Sequence, residues 1–282
     1  MPDAVGFVCH ARVGVQHAEL VSARKQLEER GFRVWSYCPA PEDRLGALSG
    51  RMDGTRLLVS VGGDGTVLWS AQQAAPARVP VLGVNAGRLG FLTEVQLQDV
   101  GHALERWARG DFALQKRTLL EIQASPRAAR FVALNDAVVH KGIAFNLIRI
   151  EVEIDGQPAG DFEADGALIS TATGSTGYAL SLGGPIVHPQ AGCVIFLPIN
   201  PHSLFTRPVV LPSTSRIVLR LPRAAAVLIC DGQPSVELEA GSVVEVAAGG
   251  QAVDLVRFHP QRNFFQLLRE KLRWGLPLTD GE

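Results

Sequence analysis

Apolar residues follow two different rhythms along this chain. Up to about residue 116, short apolar runs that suit buried strands (AVGFVCH, FRVWSYC, RLLVSVG and VPVLGVN) alternate with stretches of helical spacing. In GVQHAELVSARKQLEERGF the residues Val15, Leu20, Ala23 and Leu27 recur at roughly that spacing until Gly31 stops the run, and DVGHALERWARGDF reads as a polar-faced helix. Strands alternating with helices predict a parallel sheet. From about residue 117 the pattern changes: LLEIQAS, RFVALNDAVVH, NLIRIEVEIDGQPAG, GALIST, CVIFLPI, RPVVLP, RIVLRLP, AAVLICDGQPSVELEAG and SVVEVAAG follow one another with only turns between them. This predicts an all-β second half, in which the Asp-Gly pairs of IDGQ and CDGQ suit type I′ hairpin turns. After Pro260, QRNFFQLLREKLRWG returns to helical spacing, with Phe264, Phe265, Leu267, Leu268, Leu272 and Trp274 carrying more apolar surface than a helix leaves in water. The expected architecture is an α/β N-terminal domain with a parallel sheet (1–116), an all-β C-terminal domain (117–259) and a terminal helix (260–282). That helix is expected to pack back on the first domain, whose parallel sheet needs helical cover on both faces.

A length of 282 residues accommodates these two cores. Lys and Arg (27) nearly balance Asp and Glu (28), so no basic field draws the chain to nucleic acid or a membrane surface, and small-molecule partners are expected. Cys9, Cys38, Cys193 and Cys230 stand far apart with no C-x-x-C pair, which argues against a zinc site or a disulfide framework. The start, MPDAVGFVCHARVG, lacks a basic region followed by an apolar one, and no apolar run reaches spanning length, so a soluble, cytoplasmic protein is expected.

Chemistry concentrates in three stretches. LLVSVGGDGTVLWSAQQAA places Gly62, Gly63, Asp64, Gly65 and Thr66 between a strand ending at Val61 and a helix expected over Val67 to Ala75, the usual ligand edge of an open α/β sheet. The loop is not a P-loop, since no Gly-Lys-Ser/Thr follows, and Leu68 occupies the third glycine of a dinucleotide fingerprint. A carboxylate at a helix N-terminus repels the phosphates such a loop otherwise attracts, so Asp64 needs another task; the plain alternative is that Asp64 or Thr66 caps the helix. VPVLGVNAGRLGFLTE ends a second strand in Asn85, Gly87, Arg88 and Gly90; Arg88 could meet a phosphate, and Phe91 either lies against a base or belongs to the core. ADGALISTATGSTGYALSLGGPIVHP crowds Ser170, Thr171, Thr173, Ser175, Thr176 and Ser181 around glycines and Tyr178, which suits a ligand rich in oxygens. LNDAVVHKG, with Asn135 and Asp136, and the Asp165-Gly166 pair add acidic elements.

Together these residues resemble the NAD kinase family. Its G-G-D-G-T stands at Gly62 to Thr66, its N-x-G-x-L-G-F loop at Asn85 to Phe91, its long D-G…S-T-x-T-G-S-T-x-Y-x-L-S-x-G-G-P-I block at Asp165 to Ile186, and its P-x-x-P-H-S-L…R-P segment at Pro198 to Pro208. A G-G-D-G loop alone is shared with diacylglycerol and sphingosine kinases and phosphofructokinases; the Thr/Ser/Gly block is far more specific. The resemblance implies transfer of a terminal phosphoryl group from ATP, or inorganic polyphosphate, with Mg²⁺ or another divalent cation, to the 2′-hydroxyl of the adenosine ribose of NAD, giving NADP. Asp64 is then the catalytic residue, able to accept or orient the proton of a poorly nucleophilic hydroxyl or to share the metal. Gly62, Gly63, Gly65, Thr66 and Arg88 form the phosphate-donor loop. The resemblance places Asp64, Gly65, Phe91, Asn135, Asp136, Asp165, Thr176, Gly177, Tyr178, Ala179, Leu180, Ser181 and Gln233 around NAD.

Departures from the family pattern bear on affinity. Asp136 stands where relatives usually have glutamate, Gly177 replaces the alanine of S-T-A-Y, Ala172 replaces the proline of S-T-P-T, and Asn146 and Glu163 fall where some relatives carry basic residues. The resemblance also implies a homodimer or homotetramer built through the β-rich domain. Two other readings stay open: a lipid kinase, which shares the loop but needs an apolar pocket, and a non-catalytic NADP sensor, which could dispense with Asp64.

Overall fold

A computed structural model describes residues 3–40, 43, 45–87, 90–143, 146–261 and 263–276. The first half runs β1 (Ala4–Cys9), α1 (Ala18–Glu29), β2 (Arg33–Tyr37), β3 (Thr55–Gly62), α2 (Asp64–Ala74), β4 (Val81–Asn85), the two-residue β5 (Val95–Gln96) and α3 (Val100–Ala108). Strands β1 to β4 lie parallel in the order 2-1-3-4. Helices cover both faces, as a parallel sheet requires. Leu20, Ala23 and Leu27 of α1 and Leu104 of α3 pack with Val5, Phe7, Val59 and Leu82, while Val67, Trp69 and Ala71 of α2 pack with Val8, Leu58 and Val81 on the other side. Because the chain leaves β1 for β2 and then crosses to β3, the sheet opens a crevice at the carboxyl ends of β1 and β3. His10 and the first glycine loop meet there, the His10 N–H donating to Val61 O at 2.8 Å.

The second half contains β6 (Ala113–Ser125), β7 (Ala129–Ala133), β8 (Asp136–His140), β9 (Ile148–Ile154), β10 (Gln157–Ala164), β11 (Gly166–Thr171), the single-turn α4 (Tyr178–Ser181), β12 (Cys193–Ile199), β13 (Val209–Pro212), β14 (Ile217–Arg220), β15 (Ala226–Cys230), β16 (Gln233–Leu238) and β17 (Val243–Arg257). A six-stranded antiparallel sheet, ordered β13-β12-β11-β8-β15-β16, packs against β9, β14, β6 and β17. Their shared core includes Ile150, Val152, Ile169, Phe196, Leu219, Leu228 and Val244. Both Asp-Gly turns have the expected positive φ: 51° and 77° at Asp155-Gly156, 49° and 77° at Asp231-Gly232.

One finding goes beyond the sequence pattern. Strand β17 runs antiparallel to β6 from Val243 opposite Ser125 to Arg257 opposite Ala113, and Leu255 pairs in parallel with Val81 of β4. A single 11-stranded sheet therefore passes through both halves, and the change of pattern near residue 117 falls inside β6. RFVALNDAVVH, one apolar stretch in the sequence, breaks into β7 and β8 at Leu134-Asn135.

The terminal helix α5 (Phe264–Leu272) starts on Asn263, whose side chain accepts the Phe265 N–H at 2.8 Å. It returns to the seam between the halves. Phe264 meets His188 edge-on at 5.1 Å, and with Leu267 it lines a cavity shared with Phe91 and Leu92. Leu268 is buried, while Phe265, Leu272 and Trp274 stay partly exposed. Among the described residues no helix is long and apolar enough to cross a membrane, and the four cysteines are free thiols.

Candidate active site

The two glycine loops leave the adjacent strands β3 and β4 and lean on each other through Asp64. Helix α2 begins at Asp64 itself, three residues earlier than its apolar spacing suggests, and neither Asp64 nor Thr66 caps it. Instead, the Asp64 carboxylate reaches across to the second loop, where Oδ2 accepts the Phe91 N–H at 2.8 Å and Oδ1 the Leu92 N–H at 3.0 Å. That approach requires glycine at position 90, because a Cβ there would run into the carboxylate. Gly62 is required for a similar reason, its missing Cβ making room for Thr66 and His10. Asn85 is buried, and Gly87 N–H donates to its Oδ1. Gly90 N–H donates to Thr93 Oγ1 at 2.9 Å, which fixes the far end of the loop. Arg88 lies outside the described residues. Gly63 and Gly65 are exposed, leaving backbone open to a ligand beside a partly exposed carboxylate.

Asn135 and Asp136 stand at the break between β7 and β8, in a cleft that also holds Leu68, His140, Tyr178 and Asp231. Leu68 lies one turn after Asp64 on α2, so the helix presents both to this side. The Thr/Ser/Gly block folds over the break. Gly174 and Gly177 approach Asn135 so closely that a Cβ at Gly177 would lie 3.2 Å from Asn135 Nδ2. Several hydroxyls expected to face a ligand are engaged within the protein. Ser170 Oγ donates to Asn135 O at 3.2 Å, Thr171 Oγ1 to Leu134 O at 2.6 Å, and Ser175 Oγ to Ala172 O at 2.8 Å while accepting Val187 N–H at 3.0 Å. Thr176, Gly177 and Leu180 are partly exposed, Tyr178 and Ser181 are exposed, and Ala179 is buried among Val138, Leu168 and Leu197.

The acidic groups here are strongly coupled. Asp231 accepts the backbone N–H groups of Leu134, Asn135 and Asp136 and the side-chain amide of Gln72. Burial pushes both carboxyls up, and at Asp231 it outweighs the four donors that act in the opposite direction. Asp136 is raised to about 7, by burial first and then by the neighbouring Asp231. Sequence reasoning used Asp231 only as a turn residue and missed Gln72, which no local pattern marks.

Across the Thr173–Thr176 turn lies a second cavity, lined by Phe91, Thr173, Thr176, His188, Arg117 and Arg257. Arg257 pairs with Glu94 at 2.8 Å, and both arginines donate to Gln115 Oε1. Burial and the nearby Arg257 push the Arg117 guanidinium down to about 9. These residues, unmarked by any motif, give the cavity a cationic wall. Two expected site residues stand apart. Asp165 immediately precedes the other end of β11, five positions from Ser170 and hence about 17 Å from the Asp136 register. Lys141 at 2.7 Å, and then Asn200, hold its carboxyl below the ordinary range. Gln233 opens into a different hollow, with Trp69, Gln72 and Arg130. Among the described residues no three His, Cys, Asp or Glu side chains converge as a metal site.

This fold, an open parallel sheet continued into a β-rich half, is shared with solved structures of kinases of nicotinamide dinucleotides. Yeast NADH kinase complexed with NADH matches over 100% of this chain and 91% of its own, with a TM-score of 0.85 at 24% identity. An NAD kinase from Archaeoglobus fulgidus in complex with ATP matches over 94% and 98%, with a TM-score of 0.72 at 24% identity. Residues 5–112 match the ATP-NAD kinase N-terminal domain and residues 134–258 the ATP-NAD kinase C-terminal domain. NAD kinases of Heliobacterium modesticaldum (42% identical, covering 85% of this chain and 84% of the relative) and of Azoarcus sp. (39% identical, 88% and 88%) are similar over most of their length. The chain belongs to the NAD kinase family.

Proposed function

We propose that this protein transfers the terminal phosphoryl group of ATP to the 2′-hydroxyl of the adenosine ribose of NAD, making NADP. The observation that carries this reading is the placement of Asp64, held at 2.8 and 3.0 Å by the second glycine loop and one helical turn before Leu68, which lines the Asn135–Asp136 cleft. A secondary alcohol attacks phosphorus slowly unless its proton is oriented and accepted. Each oxygen of Asp64 takes one N–H bond and keeps further acceptor capacity for that hydroxyl. The same two bonds fix the carboxylate's direction, so little rotational freedom is lost when substrate arrives. The exposed backbone of Gly63 and Gly65 lets donor phosphates approach at the start of α2. Asn135, Asp136, Gly177 and Tyr178 would hold the adenosine, and Phe91, Thr173 and Thr176 wall the neighbouring cavity. Structures of relatives with NADH and with ATP support this pairing of ligands.

A divalent cation fits this site without a protein cage, because magnesium in phosphoryl transfer is held by substrate phosphates and one or two carboxylates. Asp64 is the carboxylate beside the loop that would share it, and the cation's chemistry is to offset phosphate charge. We also place the protein in the cytoplasm and expect a homodimer or homotetramer. The exposed Leu204 and Phe205 next to β13, 85% and 91% accessible, support a contact through the β-rich half. The test is an assay of the purified chain with NAD, magnesium and either ATP or polyphosphate, NADP being read by an NADP-specific dehydrogenase. NADP with ATP supports the reading; NADP with polyphosphate alone moves the donor, and none with either refutes the activity.

A further inference from the structure

Asp231 lies in the turn between β15 and β16, far in sequence from both glycine loops, yet its carboxylate gathers the site. Oδ1 accepts the N–H of Asn135 at 2.7 Å and of Asp136 at 3.2 Å; Oδ2 accepts the N–H of Leu134 at 2.8 Å and Gln72 Nε2 at 2.7 Å. The backbone donors are three successive residues at the β7–β8 break, and a carboxylate with acceptor capacity on both oxygens can satisfy them together. The fourth donor comes from α2, eight residues beyond Asp64. The left-handed backbone of Asp231, φ 49°, turns the side chain back under β8.

We propose that Asp231 is a positioning residue that locks the Asn135–Asp136 segment to helix α2, and so holds the adenosine side of the site in register with Asp64. This rests on reading Asn135 and Asp136 as NAD ligands. A displacement of one ångström between reacting groups is enough to slow a reaction strongly, so a bond joining the two walls of the site bears on turnover as well as on folding.

The two limbs of the clamp separate by mutation. Gln72→Ala cuts only the limb to α2, and kcat is expected to fall about tenfold while the KM for NAD stays within about twofold. Gln72→Glu opposes two carboxylates and should be worse than Gln72→Ala. Asp231→Asn keeps the turn, because asparagine tolerates the left-handed region, but presents an N–H₂ where acceptors are needed; it should also raise the KM for NAD about tenfold. In Gln72→Glu with Asp231→Asn the new amide can donate to the new carboxylate, so the double variant should recover kcat over Gln72→Glu alone. A structural role would lower the melting temperature without this reciprocal recovery.

Wild-type kcat in both Gln72 variants, or strictly additive effects in the double variant, would overturn the proposal. If Asp231→Asn fails to fold, the partly exposed Gln72 still decides the matter through its own two variants. Asn135→Ala separates the underlying reading from the proposal. An unchanged KM for NAD there refutes the ligand assignment, whereas a raised KM there with unaltered Gln72 and Asp231 kinetics refutes the clamp alone.

Discussion

Gly90 is a glycine because of Asp64. Any side chain at position 90 meets the carboxylate that the next two amides hold, so Gly90→Ala should displace Asp64 and lower kcat by about 10²-fold, with stability falling by about 1–3 kcal/mol. Initial rates and a urea melt measure both, and a variant with wild-type turnover would show that Asp64 works from another position. Asp136 makes a prediction about pH. Its carboxyl loses its proton near 3.8 in an unfolded chain but holds it to about 7 in the folded one. The folded state therefore binds the extra proton between those values; the stabilisation is complete below the lower one and is lost as pH rises through the upper. From about pH 5 to about pH 8 the melting temperature of wild type should fall relative to that of Asp136→Asn, and parallel curves would refute the raised value. Asp64 was legible in the sequence because a charge in a glycine turn is conspicuous. Asp231 and Gln72 were not, since their meaning lies in a contact between residues 159 positions apart.

At the scale of elements, the Thr/Ser/Gly block is a folded wedge with its polar groups turned partly inward. Ser175, fully buried, bridges Ala172 O and Val187 N–H, so Ser175→Ala leaves the Val187 N–H without this acceptor and Ala172 O with only the longer bond from the backbone N–H of residue 175, and should cost about 2 kcal/mol, measured by urea denaturation. A variant of unchanged stability but raised KM for NAD would instead return Ser175 to the ligand. Composition showed that hydroxyls crowd here, but which of them point inward depends on the Asn135 backbone that the block covers. Fold class was legible because period and turn chemistry are local: the switch from βα alternation to hairpins, and the two Asp-Gly turns, are written in short stretches. The continuity of the sheet was not. GQAVDLVR looks too polar for a strand until β6 and β4 flank it, and a parallel bond from Leu255 to Val81 leaves no local signature.

For the whole molecule, the seam between the halves is closed by α5, and a chain ending at His259 should be insoluble or poorly folded because Phe264, Leu267 and Leu268 no longer cover it. A soluble, active truncated protein would contradict this. The full chain should elute from a sizing column as a dimer or larger, and replacing Leu204 and Phe205 with serine should shift it toward monomer; an unshifted elution would place the contact elsewhere. All of this depends on one chemical event at the junction of the two loops. The most direct measurement is NADP formation from NAD and ATP by wild type and by Asp64→Asn, with NAD binding followed by calorimetry. The account predicts turnover by the wild type, a fall in kcat of about 10²-fold or more in the variant, and NAD still bound. Equal turnover by the two proteins, or no NADP from the wild type, would contradict it.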